Sequence, residues 1–492
     1  MRLSLETIIR ATGGTVGAFS GEQLVRCVTT DSRAVPPEAL FVCLPGETVD
    51  GHDFAGKAVD AGAVAVLAQR DPFVDTPASV PVILVADTVK ALGQIAHVWR
   101  KTLTKTRVVG ITGTAGKTTV KEVLAQILTH KGSTAKNHLN MNNQIGLPLS
   151  MLAATGDEDY WVMEAGISQP GDMDELGAIL EPDLGVIINV GPGHAAGLGD
   201  KGTAHYKARL LAHLAAGGSG LISADYPDLV REARAVRPDL AFFSTTGRQV
   251  DYRSAYVVPA GEGKGLFRLW LDGECVDAEV PFRGSFGAEN VIAAAAAAHR
   301  LGLTAPEIAA GLTGVVLPKQ RFACSRAGKW LVIDDSYNAN PLSFARMLEA
   351  AREMTAERPG EPLICVLGAM GELGALAQAE HEQLGRLLAE ARPKAIFWKG
   401  EHFEDVAEGL RYGRYDGVLQ AITSTDALLE SLTACGALAV KTDATDAQVA
   451  TPSVGKAGSK AGGVMLFKGS RVNKLEVFVQ AFIAAAGEAH AV

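Results

Sequence analysis

Short apolar runs alternate with stretches of helical period along the whole chain, and the alternation restarts twice. Up to about residue 104, the runs 40–44, 64–67 and 82–85 read as strands with helical segments between them, and the polar stretch 101–106 closes the block. From about 105 to 317 the pattern continues through 108–112, 160–163 and 184–190, and ends in an alanine-rich helix after Asn290. From about 318 it begins again with 331–333, 363–367, 395–398, 417–420 and 464–467. Strands separated by helices predict mostly parallel sheets covered on both faces. The expected fold is therefore α/β in three domains: a small α/β unit over 1–104, a central unit over 105–317 and a Rossmann-like unit over 318–492. The stretch 442–463, rich in Ala, Gly, Ser and Thr, reads as a mobile surface loop.

The stretch 108–121, Val-Val-Gly-Ile-Thr-Gly-Thr-Ala-Gly-Lys-Thr-Thr-Val-Lys, runs an apolar strand into a glycine-rich turn and then into an amphipathic helix. That order predicts a phosphate cradle built from Gly113, Thr114, Ala115, Gly116, Lys117, Thr118 and Thr119. The glycines let backbone N–H groups turn inward, Lys117 reaches outer phosphates, and the Thr118 hydroxyl can ligate magnesium. Val120, Val123, Leu124, Ile127 and Leu128 fall on one helix face, which anchors the helix N-terminus and its dipole behind the anion. The usual spacing would place the first glycine where Ile111 stands. The central unit is thus expected to resemble a phosphate-loop ATPase.

Size and charge narrow the picture. A chain of 492 residues exceeds one ordinary core. A net charge of −9 argues against a general binder of nucleic acid or anionic membrane, so phosphate must be held by local geometry. Six scattered cysteines without a C-x-x-C pair fit a reducing compartment, and no run approaches a membrane span. These features predict a cytoplasmic protein.

Other polar residues fall where parallel strands present their carboxyl ends, the edge at which ligands bind in such sheets. Glu164 ends the second central strand and can meet the same magnesium as Thr118. His194 follows the strand at 184–190 through a Gly-Pro-Gly turn. Lys207, taken alone, reads as a surface lysine on a helix. Four asparagines lie within residues 137–143, and their amides, Asn142 and Asn143 included, can donate to phosphate or accept from an amine. In the third block Asp335, Tyr337, Asn338 and Asn340 cluster after an apolar strand, where Asp335 could accept from ribose hydroxyls. Arg321 could reach a phosphate, and Lys468, Ser470 and Arg471 could receive an anionic substrate.

Together these residues resemble the Mur ligase family, and within it the D-alanyl-D-alanine-adding members. The resemblance spans nearly the whole chain. It rests on 30–33 (Thr-Asp-Ser-Arg), Gly46 and 50–54 (Asp-Gly-His-Asp-Phe); on 110–119, 142–146, Glu164 and His194; and on 334–341 (Asp-Asp-Ser-Tyr-Asn-Ala-Asn-Pro), 368–374 and 468–471. It implies an ATP-dependent ligase of peptidoglycan synthesis that joins D-alanyl-D-alanine to a UDP-MurNAc-tripeptide through an acyl phosphate. It further implies two magnesium ions held by Thr118, Glu164, His194 and a carbamylated Lys207. Asn290 becomes an adenine contact, and Asp31, Ser32, Arg33, Gly46 and His52 become candidates for the UDP end. A monomer whose third domain closes over nucleotide and dipeptide is expected. The chain departs from the family pattern at Ala208-Arg209, at Ala369 and at 284–289. Related amide ligases remain rivals, as does a phosphate-loop ATPase acting as a switch. Two further domains with polar strand ends favour a ligase.

Overall fold

The computed structural model describes residues 1–17, 23–46, 48–74, 78–191, 198, 201–439, 462–487 and 489–491. Three large sheets succeed one another along the chain, as the restarting alternation predicts. The first has five strands in the order Thr15–Val16, Val82–Leu84, Ala65–Ala68, Ala39–Val42, Cys27–Thr29, parallel except at the Thr15–Val16 edge.

The central sheet has nine strands. Its middle is β1 (Arg107–Thr112), succeeded by α1 (Lys117–Leu128), and β1 is flanked in parallel by β2 (Tyr160–Glu164) and β3 (Leu184–Ile187). The predicted apolar face of α1 is buried along its length, with Val120, Val123, Leu124, Ile127 and Leu128 all at 0% exposure. Because β1, β2 and β3 are parallel neighbours, their carboxyl ends open on one edge, and the segments leaving those ends meet there. Parallel strands Ser219–Ser223 and Leu240–Ser244 continue the sheet beyond β3. A meander of Tyr252–Pro259, Gly265–Leu271 and Glu274–Val280 closes this side with antiparallel pairs.

After β3 the chain forms the short helix α2 (Gly202–Ala208). The alanine-rich helix is α3 (Gly284–Arg300), which starts six residues before Asn290. Its Ala293–Ala298 run is fully buried against α1 and the sheet, because methyl-sized side chains on every face permit close approach on all sides.

The third sheet has seven strands. Its parallel centre pairs β4 (Trp330–Asp335) with β5 (Gly463–Lys468), and α4 (Pro341–Ala356) comes after β4. The edge strand Ala323–Ala327 runs antiparallel to β4. One apolar cluster extends from Val109 and Val120 through the alanines of α3 to Phe344 and Leu466, so the second and third sheets share packing.

All six cysteines are free. No helix among the described residues is long and apolar enough to cross a membrane. His194 and the stretch 442–461 lie outside the described residues.

Candidate active site

A cavity of about 340 Å³ opens at the carboxyl edge of the central sheet, walled on one side by the phosphate loop and on the other by residues of the third sheet. Gly116 adopts φ 82° where the loop turns into α1. A side chain there would be strained and would collide with Asn290 Oδ1, so glycine is required twice over. Asn290 is 5% exposed and its Oδ1 has no protein partner. That is a buried acceptor facing the loop.

Not every N–H group of the loop turns into the cradle as the sequence predicts. Thr114 N–H and Ala115 N–H both donate to Asn189 Oδ1, at 3.0 and 2.9 Å. Lys117 folds back, its ammonium donating to Gly113 O at 2.9 Å, and burial lowers its pKa against the opposing pull of Glu164.

The Thr118–Glu164 pair forms as expected from their strand and helix ends. Thr118 Oγ1 donates to Glu164 Oε2 at 2.8 Å, and Asn142 Nδ2 donates to Oε1 at 2.6 Å. Within the asparagine-rich segment Asn142 holds this carboxylate, whereas Asn137 and Asn143 bond backbone groups. Asn137 donates to Glu164 O and accepts from Glu164 N, while Asn143 Oδ1 accepts from Ile145 N and Gly146 N at the start of helix Gly146–Ala153. Lys121, which the sequence pattern alone did not single out, is fully buried and donates to Asn137 O and Leu139 O, both at 2.8 Å. Its position one turn beyond Lys117, on the same helix face, is the signal that could have found it.

From the third block, Arg321 Nη2 donates to Thr118 Oγ1 at 3.3 Å and Asn340 Nδ2 to Thr114 O at 3.2 Å. Arg321 also lies over the Tyr337 ring, 4.1 Å from its centroid, with Arg471 5.2 Å from the same centroid. The parallel register sets Asp335 opposite Lys468, and the two form an ion pair. Asp335 Oδ1 accepts from Phe322 N as well. Burial lowers the pKa of Lys468, and Asp335 resists that shift. Tyr337, Asn338, Asn340, Asp335 and Lys468 all border the cavity. Ser470 does not; its hydroxyl donates to Ala369 O at 2.5 Å, which makes it part of the strand-end scaffold.

Lys207 is not the surface lysine that its local sequence suggests: it is 1% exposed. Burial, reinforced by the charge of Lys117, depresses its amine well below the usual lysine value. The neighbouring Arg209 turns away to Asp174, with Nε donating to Oδ1 at 2.8 Å. In the first block Arg33 clasps Asp31 in a bidentate pair, and those hydrogen bonds hold Asp31 at about 2. His52 Nε2 accepts from Gln69 N, and its Nδ1 meets Asp50 Oδ1 at 2.6 Å. Asp31, Ser32, Arg33, Gly46 and His52 are not among the cavity's walls.

The donor set suits magnesium. Thr118 and Glu164 offer hard oxygens side by side at a helix start and a strand end. Among the described residues no three His, Cys, Asp or Glu side chains converge on one point. Magnesium needs no such cage, because it keeps waters and takes substrate phosphates as ligands.

A mostly parallel sheet with a glycine loop, a lysine and a Thr–Glu pair, faced across one cavity by residues of the third block, defines a phosphate-loop nucleotide-binding protein. Within that class, the Mur ligase middle domain matches residues 111–298, the Mur ligase glutamate ligase domain 320–449, and the Mur ligase family catalytic domain 24–100. The chain belongs to the Mur ligase family. It is 35% identical to the UDP-N-acetylmuramoyl-tripeptide--D-alanyl-D-alanine ligase of Escherichia coli, over 79% of this chain and 84% of that one. Crystal structure I of MurF from Acinetobacter baumannii superposes with a TM-score of 0.84 at 26% identity, covering 98% of this chain and 99% of that one. The MurF ligase of Thermotoga maritima in complex with ADP does so with a TM-score of 0.77 at 27% identity, covering 94% and 98%.

Proposed function

We propose that this chain is an ATP-dependent peptide ligase that joins D-alanyl-D-alanine to the carboxyl end of a UDP-MurNAc-tripeptide, giving UDP-MurNAc-pentapeptide, ADP and phosphate. The observation that carries this reading is the convergence, in one cavity, of the phosphate loop and Thr118–Glu164 pair from the central sheet with Arg321 and Asn340 from the third. The Escherichia coli relative bears the same activity in its name.

A carboxylate resists attack by an amine because its negative charge repels the incoming lone pair. Transfer of the γ-phosphoryl group of ATP to the tripeptide carboxylate makes an acyl phosphate and releases ADP. The free amine of the dipeptide then adds to the acyl carbon, loses a proton, and the tetrahedral intermediate expels phosphate. Phosphoryl transfer asks the protein chiefly for alignment and charge neutralisation. Lys117 and Arg321 supply cationic charge at the loop, and α1 presents its N-terminus to the phosphates. Magnesium, when bound, neutralises charge on the transferring group; Thr118 and Glu164 would hold one ion, and His194 with a carbamylated Lys207 the second. Burial lowers the pKa of Lys207, which favours the neutral amine, the form able to add to carbon dioxide. Asn290 would contact adenine and Asp335 the ribose. Tyr337, Asn338, Asn340, Lys468 and Arg471 would receive the peptide substrates, with Asn142 and Asn143 opposite, while Ser470 holds the strand end beside them.

Residues 1–104 would hold the UDP end through Asp31, Ser32, Arg33, Gly46 and His52, 105–317 would bind ATP, and 318–492 would close over nucleotide and dipeptide. The enzyme acts as a monomer in the cytoplasm, where ATP and nucleotide-linked precursors are found. Phosphate release, measured with the tripeptide ending in either diaminopimelate or lysine, is expected to require D-alanyl-D-alanine. Release that ignores the dipeptide, or that responds to a single amino acid instead, overturns the assignment.

A further inference from the structure

A second buried carboxylate stands behind the phosphate loop. Glu289, the residue before Asn290 on α3, is 3% exposed. Its Oε2 accepts from Asn189 Nδ2 at 2.7 Å and pairs with Arg346 Nη1 at 2.5 Å, while its Oε1 accepts from the Tyr226 hydroxyl at 2.8 Å. Arg346 also donates to the Tyr226 oxygen. Arg346 belongs to α4 and so comes from the third block, whereas Glu289, Tyr226 and Asn189 come from the central one.

Asn189 completes the connection. It is fully buried, accepts from Thr114 N–H and Ala115 N–H, and donates to Ala115 O. An ionised carboxylate can only accept, so Glu289 holds the NH₂ end of this amide and leaves Oδ1 for the loop. Buried carboxylates need a paired cation, because desolvation of an uncompensated charge is costly. Within this cluster that cation is Arg346. An unbroken series of hydrogen bonds thus runs from a guanidinium of the third block to the backbone of the phosphate loop.

We propose that Glu289 and Arg346 are positioning residues: the seating of Arg346 orients Glu289 and, through Asn189, sets the phosphate loop for nucleotide, so that docking of the third block and competence of the loop are one event. The proposal rests on the reading of that loop as the ATP cradle.

The test uses the intact enzyme with Glu289→Gln, Arg346→Met, the double variant and Arg346→Lys. Two quantities are read: kcat with ATP, tripeptide and D-alanyl-D-alanine, and the Kd of a non-hydrolysable ATP analogue. Each uncharged single variant is expected to lose about 10²-fold in kcat, the scale of a loop misplaced by about 1 Å, and to bind the analogue more weakly. The double variant is expected to be no worse than the poorer single one, and Arg346→Lys to recover part of the loss. Arg358→Gln is the control. It breaks the Arg358–Glu262 pair across the same two blocks without touching the loop, and is expected to lower Tm while leaving analogue affinity at the wild-type level.

Wild-type kcat and Kd in Arg346→Met overturn the relay. So do multiplicative losses in the double variant, or equal loss in Arg358→Gln. An inactive wild type that still binds the analogue refutes the substrate assignment alone, and the relay is then decided on Kd.

Discussion

Lys207 sits on α2 with its amine buried beside the charge of Lys117, and both effects favour the neutral form in the folded protein. The unfolded chain protonates the same amine with the ordinary value of 10.5. Below that value the unfolded state therefore binds more protons at this residue, and stability falls as pH drops from there toward neutrality. Lys207→Met, similar in length and without the charge, is expected to resist urea better than wild type at about pH 7, with the gain shrinking toward about pH 10. The same variant should lose nearly all ligation. A variant that ligates normally removes the carbamate role. In sequence Lys207 reads as a surface residue only when taken alone. Ala204, Ala208 and Leu211 recur around it at helical spacing and are all buried, so the stripe that would have placed it inward was present. Glu164 and Thr118, by contrast, were legible directly, since each stands at the end of a well-marked element.

At the scale of elements, the start of α4 carries two tasks at once. Asn340 is its N-cap: the side chain accepts from Ser343 N, Ser343 accepts from Asn340 N, and Pro341 occupies the first helical position. The same amide donates to Thr114 O of the phosphate loop. Asn340→Ala is expected to cost about 1 kcal/mol of stability for the lost cap and to raise KM for ATP. Asn340→Ser keeps a capping oxygen but has no amide to reach the loop, so Tm should stay near wild type while KM still rises. Equal KM values in Asn340→Ser and wild type would mean that the reach to Thr114 carries nothing. Among the elements themselves, the strands with continuous apolar runs were legible because burial on both faces demands them. The meander at 252–280 was not, since its strands alternate: Gly265–Leu271 is buried at every second residue. Its Asp272-Gly273 turn, with φ 49° and 92°, carries a hairpin signal that lies outside any apolar run.

For the whole molecule, the contacts of Arg321 with Thr118 and of Asn340 with Thr114 join the third sheet to the loop across about 200 residues of chain. An acyl phosphate survives only where water is excluded, so the proposed closure of residues 318–492 is expected to accompany substrate binding. Small-angle scattering is expected to show a smaller radius of gyration when an ATP analogue and the tripeptide are added together. An unchanged radius would count against domain closure. The α/β class, the phosphate loop and the family resemblance were all readable along the chain, because strand and helix periods and the glycine–lysine–threonine spacing are local properties. Only the tertiary structure decided that Asn189 takes loop N–H groups, that Asn137 and Lys121 are spent on supporting Glu164, and that Glu289 meets Arg346. Those outcomes depend on which strand ends become neighbours and on which charges must find partners once water is removed, and neither is encoded within the span of any single element.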